Sequence, residues 1–402
     1  MRHVISKFIL HASVAVCLAG GMSCQLELIN PAQSPASIPL TESVALIAAG
    51  GNHACALLPK GLACWGNNTN GQIGNGSNAD PVLTPSWTIS LAGNSTSITS
   101  LVTHQNNTYV IENGALLAWG LNAHGEIGNG STTDVLAPVI PNGMGAGVTV
   151  VATGAGNTSA LAVQNGQTYA WGQNQLGQLG LGSVTGNVLT PTLVTGMPAG
   201  VTSISVGGHC GCAVASGAVY CWGDNSSGCL GTGNFTTHDS PTAVPALSSG
   251  VTQVSTGYNY SCALTASGAI YCWGLNGAGQ VGNGNNANQN SPVQVISSGA
   301  TAITTGYTTP CAIVNGGVQC WGLNTYGQVG DTTTTNRNLP TWVTGLGPGS
   351  GVSTLSAGNN HVCAGLNGTY LCWGINAHAQ LGLGNQVSPQ LIPISPDFSQ
   401  LQ

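Results

Sequence analysis

The stretch Cys64-Trp65-Gly66-Asn67-Asn68-Thr69-Asn70-Gly71-Gln72-Ile73-Gly74 decides the fold, because the chain repeats it with variations seven times. Each copy carries Trp-Gly-x-Asn, then a Gly-[Gln/Glu/Cys]-[Leu/Ile/Val]-Gly tetrad, which in the last copy becomes Ala379-Gln380-Leu381-Gly382. The tryptophans are Trp65, Trp119, Trp171, Trp222, Trp273, Trp321 and Trp373, spaced by 54, 52, 51, 51, 48 and 52 residues. A period near fifty marks an array of units, each of which needs its neighbours to bury its apolar face. Such scaffolds host many unrelated activities, so the period speaks to architecture and says little about function.

One repeat suffices to read the strands. Val251-Thr-Gln-Val-Ser255 is a β-branched run broken by Gly257. Ser261–Thr265 and Ala269–Trp273 alternate around a Ser-Gly turn, a hairpin signal. A glycine-dense loop, 274–284, precedes a fourth run, Ser291–Ile296, whose proline sits at its start, where a missing N–H is tolerated. Four strands in each of seven units, with almost no helical pattern, predict an all-β chain folded as a seven-bladed β-propeller. Ser34–Leu40 echoes Ser388–Ile394, so one of these terminal strands is expected to close the ring. The seven asparagines (Asn68, Asn122, Asn174, Asn225, Asn276, Asn324, Asn376) are expected to bond their own loop backbone as Asx turns do. The tryptophan rings are expected to pack between blades.

The start of the chain is a different object. Arg2 and Lys7 precede a short apolar run, Phe8–Met22, which reads as an export signal peptide over 1–24. Cys24 follows Gly21-Met22-Ser23 and resembles a lipoprotein cleavage site, with Cys24 the acylated residue. Residues 25–42 read as a tether, 43–396 as the propeller and 397–402 as a tail.

Only 3% of the residues are charged, while 42% are hydrophobic, so a packed core under an uncharged polar surface is expected. Beyond the leader only Lys60 and Arg337 are basic, against ten acids. Two cations cannot neutralise a row of phosphates, which excludes a nucleic-acid partner. So few charges also predict little dependence of stability on salt, or on pH between about 5 and 9.

Of 14 cysteines, ten form five pairs placed alike in their repeats: Cys55 with Cys64, Cys212 with Cys221, Cys262 with Cys272, Cys311 with Cys320, and Cys363 with Cys372. Repeats two and three lack both members, and this joint presence and absence argues that the partners touch. Cys210 takes the place of His53, and Cys229 that of Gln72, in repeat four alone, which predicts a sixth bond, Cys210 to Cys229. Zinc is excluded because no ligand spacing recurs. Six disulfides imply an oxidising compartment, in agreement with the leader.

At these residues the chain resembles the regulator of chromosome condensation repeat family. Gly50-Gly-Asn-His53-Ala-Cys55-Ala56 and Cys64–Gly74 match the start and finish of its repeat, and Gly358–Ala364 with Cys372–Gly382 match again. The resemblance covers residues 43–396 and implies a closed seven-bladed propeller used as a binding platform. The family's founder is a nucleotide-exchange factor for a nuclear GTPase that docks on chromatin. This chain has no match to the founder's basic chromatin-binding loop, and its leader and cysteines do not fit a nucleus. A secreted bacterial seven-bladed inhibitor of β-lactamases fits better by compartment.

A non-enzymatic, secreted or surface-anchored protein-binding module is the expected function, with inhibition of a secreted or periplasmic enzyme as the alternative. The expected partner is a protein or cell-surface ligand, membrane contact comes only through the lipid anchor, and the chain is expected to be monomeric with no cofactor. Aromatic residues that break the repeat pattern are the candidate binding surface: Trp87 and Trp342 at matching places in the fourth strand, with Phe235, Tyr258, Tyr260, Tyr307 and Tyr326. Asp80 and Asp134 fall in matching loops, with Asp239 close to that position, but no nucleophile, base and orienting group converge.

Overall fold

The computed structural model describes residues 46–89, 97–154, 156 and 159–401. The chain divides into Met1–Ile38 and Pro39–Gln402, and all described residues belong to the second unit. The leader, Cys24 and the Ser34–Leu40 echo therefore lie outside the described residues.

In the fifth repeat the β-branched run becomes strand Val251–Thr256, followed by Tyr260–Thr265, Ile270–Gly274 and Gln289–Ile296. The sequence reading placed these bounds to within two residues. All seven repeats form such a four-stranded antiparallel sheet, its strands in chain order, over residues 46–89, 98–139, 148–193, 201–243, 251–296, 300–342 and 352–394. The first strands of successive blades touch one another around the ring and line its centre. Blade seven meets blade one through the Ala49 amide on Ser356 Oγ (2.9 Å) and the Asn359 amide on the Gly50 carbonyl (3.1 Å).

Gln390–Ile394 pairs with Thr369–Gly374 of its own repeat, so the carboxy-terminal strand completes blade seven. Residues 397–401 are more than a tail. Phe398 is buried and packs edge-on against Trp65, with ring centroids 5.8 Å apart.

The seven tryptophans are fully buried at the blade boundaries. Each indole N–H donates to a carbonyl of the preceding blade, at the second position of its tetrad: Trp119 to Gln72, Trp171 to Glu126, Trp222 to Gln178, Trp273 to Cys229, Trp321 to Gln280, Trp373 to Gln328 and Trp65 to Gln380. The last of these bonds spans the ring closure. The tetrad's closing glycine must be glycine for two reasons. Gly180 has φ +70°, and a Cβ there would lie 2.9 Å from the Trp222 ring.

The asparagines do more than close Asx turns. Asn276 Oδ1 accepts the Val281 amide, while Nδ2 donates to the carbonyls of Asn285 and Ala287. One side chain thus ties three points of an eleven-residue loop, and the same pattern recurs at Asn68, Asn122, Asn225, Asn324 and Asn376.

The five regular cysteine pairs meet across the second and third strands of their blades. Cys55 faces Cys64, Cys212 faces Cys221, Cys262 faces Cys272, Cys311 faces Cys320 and Cys363 faces Cys372. Each pair lies at disulfide distance, with Cα atoms 4.0–4.1 Å apart. Cys210 and Cys229 also lie at disulfide distance, with Cα atoms 6.5 Å apart. In the blades without a pair, Tyr109 faces Ala118 and Leu161 faces Ala170. A large residue beside a small one fills the space of the missing bridge, as close packing requires.

Candidate functional site

Consecutive antiparallel strands put the first-to-second and third-to-fourth connections on one face of the ring. That face carries the glycine-rich loops on its outside and a circle of short loops at the channel mouth. Backbone bonds join several neighbouring short loops: Gly51 N–H to the Gln105 carbonyl (2.9 Å), Gly208 to Gly257 (3.2 Å) and Tyr258 to Tyr307 (2.9 Å).

The Tyr258–Tyr307 link sets two aromatic residues side by side. Their rings stack, with centroids 4.4 Å apart and planes 13° from parallel. His209, from the preceding blade, meets Tyr258 edge-on at 5.0 Å. Gly156 of blade three stands against both tyrosines, where a side chain would collide with the rings. These residues, with Gln173, Gln175, Leu176 and Gln178 from the third-blade loop, line a cleft of about 370 Å³. Burial holds His209 below its ordinary pKa, and Asp224, with Oδ2 3.8 Å from Nδ1, partly opposes this. Burial pushes the Tyr307 hydroxyl up to about 12, helped by Tyr258. Burial thus favours the neutral forms of His209 and Tyr307.

The other aromatic candidates separate into two groups. Phe235 and Tyr326 are exposed, 52% and 41%, in the glycine-rich loops of blades four and six on this same face. Trp87 and Trp342 occupy equivalent fourth-strand positions, paired with Ala63 and Gln319. They are partly buried against the cores of the blade boundaries and do not join the tyrosines.

Tyr260 corrects the sequence reading. It is fully buried, its hydroxyl bonded to the Gly306 carbonyl (3.0 Å), and cannot meet a partner. Gly257-Tyr258-Asn259-Tyr260 aligns with Gly50-Gly51-Asn52-His53, so Tyr260 fills the position of the buried His53. That alignment was available in the sequence.

Two of the three aspartates close their own loops. Asp80 Oδ1 accepts the Asn68 amide (2.6 Å) and Asp134 Oδ1 the Asn122 amide (2.9 Å), closing their loops. Asp239 belongs to the fourth strand of blade four, and Thr237 holds the matching position there. Glu126 takes the usual glutamine's place and its bond, accepting the His124 amide (2.7 Å). Among the described residues no three His, Cys, Asp or Glu side chains gather as metal ligands. No helix among them is long and apolar enough to cross a membrane.

A feature missed by sequence reasoning is Gln178. In three other blades the tetrad glutamine's Nε2 reaches an asparagine in the next blade's short loop: Gln72 to Asn106 (3.2 Å), Gln328 to Asn360 (3.3 Å) and Gln380 to Asn52 (3.4 Å). Beside Gln178 that asparagine is replaced by His209, and the fully buried Nε2 of Gln178 has no protein partner. The replacement is visible in Gly207-Gly208-His209-Cys210, but its consequence needs the neighbouring blade.

Comparison with known proteins agrees with this geometry. The Regulator of chromosome condensation (RCC1) repeat matches residues 113–161, 165–214, 216–264, 267–313 and 315–364, and a second form of the repeat matches 44–72 and 251–280. The ultraviolet-B receptor UVR8 of Arabidopsis thaliana is 32% identical over 253 residues, 61% of this chain and 56% of UVR8. The human E3 ubiquitin-protein ligase HERC2 is 32% identical over 192 residues, 46% of this chain but 4% of HERC2. The chain thus spans little more than half of the first relative and a small part of the second. Among solved structures, Prp20p of Saccharomyces cerevisiae, a protein with binding properties towards Gsp1p and histones, superposes with a TM-score of 0.72 at 20% identity, covering 89% of this chain and 88% of Prp20p. With matching repeats over more than half its length and seven blades built on them, this chain belongs to the regulator of chromosome condensation (RCC1) repeat family.

Proposed function

We propose that this chain is a non-enzymatic, monomeric protein-binding propeller of an exported, oxidising compartment, and that it binds through its loop face. The observation that carries this reading is that the exposed aromatic residues Phe235 and Tyr326 and the Tyr258–Tyr307 stack all lie on that one face. Aromatic anchors supply most of the energy in protein interfaces. Binding of proteins by a relative, Prp20p, supports a platform role. The cysteine pairs support the compartment, because such bridges persist where thiols are not kept reduced. Export through residues 1–24, with acylation at Cys24, belongs to the same reading. Nucleotide exchange does not: with Lys60 and Arg337 the only cations beyond the leader, a basic docking surface cannot be assembled.

The test is crosslinking of the full chain to envelope and culture fractions, compared with the Phe235→Arg/Tyr326→Arg double variant and with Gln167→Arg on the opposite face. A retained protein lost only in the double variant supports the reading. Retention that ignores both loop-face charges, or no retention, overturns it. Exposed Val184 and Val387 extend the apolar character of the same face and favour the second reading, inhibition of a secreted or periplasmic enzyme. Its signature is a one-to-one complex in which the captured enzyme loses activity.

A further inference from the structure

We propose that the channel-mouth cleft is a binding site for a neutral saccharide ring. This goes beyond the protein-binding reading and does not depend on it.

Three independent features converge. The first is the aromatic wall. Tyr258 and Tyr307 are locked in a parallel stack by the backbone bond between their loops, so the surface they present is rigid before any ligand arrives. The aromatic surface that the stacked pair leaves towards the cleft is preorganised, which suits the apolar C–H face of a sugar ring.

The second is an oriented hydrogen-bond donor. Gln178 Oε1 accepts the Leu176 amide (2.8 Å), which fixes which end of the side-chain amide is the nitrogen. Nε2 is fully buried without a protein partner, beside a cleft that Gln178 and His209 both line. A buried donor left unmade is costly, and an acceptor oxygen on a ligand removes that cost. The equivalent glutamines at Gln72, Gln328 and Gln380 satisfy their donors on an asparagine of the next blade, which this boundary lacks.

The third is the chemistry of the rim. Gln173 and Gln175 are joined by an amide–amide bond (3.0 Å), and the His209 imidazole completes a wall that both donates and accepts. Hydroxyls, which do both, are the matching ligand groups. Anions do not match. Lys60 lies in the hairpin turn of the opposite face, and Arg337 is engaged by Asp331, so among the described residues no lysine or arginine borders the cleft. A volume of about 370 Å³ lies at the small end of ligand sites and suits one or two rings.

Saturation-transfer NMR and calorimetry of the full chain would use chitotetraose, cellotetraose, maltotriose and mannotriose, with adenosine and glucuronic acid as aromatic and anionic comparators. At least one neutral sugar should bind, with a Kd below about 10 mM. Tyr307→Ala and Gln178→Glu should each weaken it about tenfold or more, because an unmatched or lost partner in a polar site discriminates strongly. Gln178→Glu keeps shape and the Leu176 contact, as Glu126 does at the equivalent place in blade two, and removes the amide donor; a melting curve of the variant run beside the titration separates recognition from folding. Asn78→Ala, in the exposed blade-one loop of the same face but outside the cleft, should leave sugar affinity unchanged. No binding by any neutral sugar, binding indifferent to Tyr307 and Gln178, or tighter binding of adenosine or glucuronic acid would each overturn the inference. The protein-capture variants Phe235→Arg and Tyr326→Arg lie outside the cleft, so the two readings fail separately.

Discussion

Acid should unfold this protein earlier than its sparse charge implies. His53 and His361 are fully buried at adjacent blades, and burial is the main cause that lowers their pKa values to about 3 and about 4, from 6.5. Proximity of His361 and His104 lowers His53 further. The geometry explains why neither ring can hold a second proton cheaply. Thr108 Oγ1 donates to the Gln72 carbonyl (2.9 Å), so it must accept from His53 Nε2 (3.0 Å). Nδ1 of His53 then faces Gly50, and backbone groups of Gln105 and Asn107 beside His53, and of His53 beside His361, only partly offset the burial of a charged ring. The folded-state pKa lies below the unfolded one, so stability is complete above about pH 6.5 and is lost as pH falls towards the folded values. At pH 5 each ring has lost about 1.5 pH units of linkage, roughly 2 kcal/mol, and the pair about 4 kcal/mol. Half-buried His104, held down to about 4 by burial, adds to the same slope. Buried Glu126, whose pKa burial raises, works the other way and offsets part of it. Total stabilities of domains are about 5–15 kcal/mol, so the loss is large. The assay is thermal melting from pH 8 to pH 4.5 at constant ionic strength, beside His53→Tyr/His361→Tyr. Tyrosine is chosen because Tyr260 fills that position in blade five. The wild type should lose several degrees below pH 6.5, and the double variant should be flatter. A wild-type melting temperature unchanged down to pH 5, or an equal slope in the double variant, refutes the reasoning. The flat response expected between pH 5 and 9 counts the sparse charges alone, and the buried rings predict a slope below pH 6.5 instead, which the melting series decides.

Two further outcomes test the scaffold. Cys210→Ser/Cys229→Ser should cost about 3 kcal/mol in chemical denaturation, since the bridge spans 19 residues of chain, and strong reductant should lower the wild-type melting temperature further. An unmoved midpoint in both experiments would remove the disulfide assignment. Trp222→Phe keeps one aromatic ring but loses the pyrrole part of the indole and its bond to the Gln178 carbonyl, leaving a small cavity and a buried acceptor, and should cost about 2–4 kcal/mol. A loss within error of zero in urea unfolding would show that these indole bonds do not hold the blades.

The repeat determined the architecture by itself, for a physical reason. Each Trp-Gly-x-Asn…Gly copy encodes one hairpin, one loop tied by its own asparagine and one indole reaching into the previous copy. Seven equal copies leave a closed ring as the way to pair every boundary. The cysteine partners were legible on the same ground: Cys221 opposite Cys212, Cys272 opposite Cys262 and Cys320 opposite Cys311 are cross-strand neighbours, and such neighbours vary together. Tertiary structure decided everything that depends on two blades at once. Tyr258 and Tyr307 are 49 residues apart in the chain and stack because adjacent loops share a backbone bond. Tyr260, two residues from Tyr258, points into the core instead. Gln178 looks like every other tetrad glutamine in the sequence, and only the histidine brought beside it from the next blade leaves its amide without a partner.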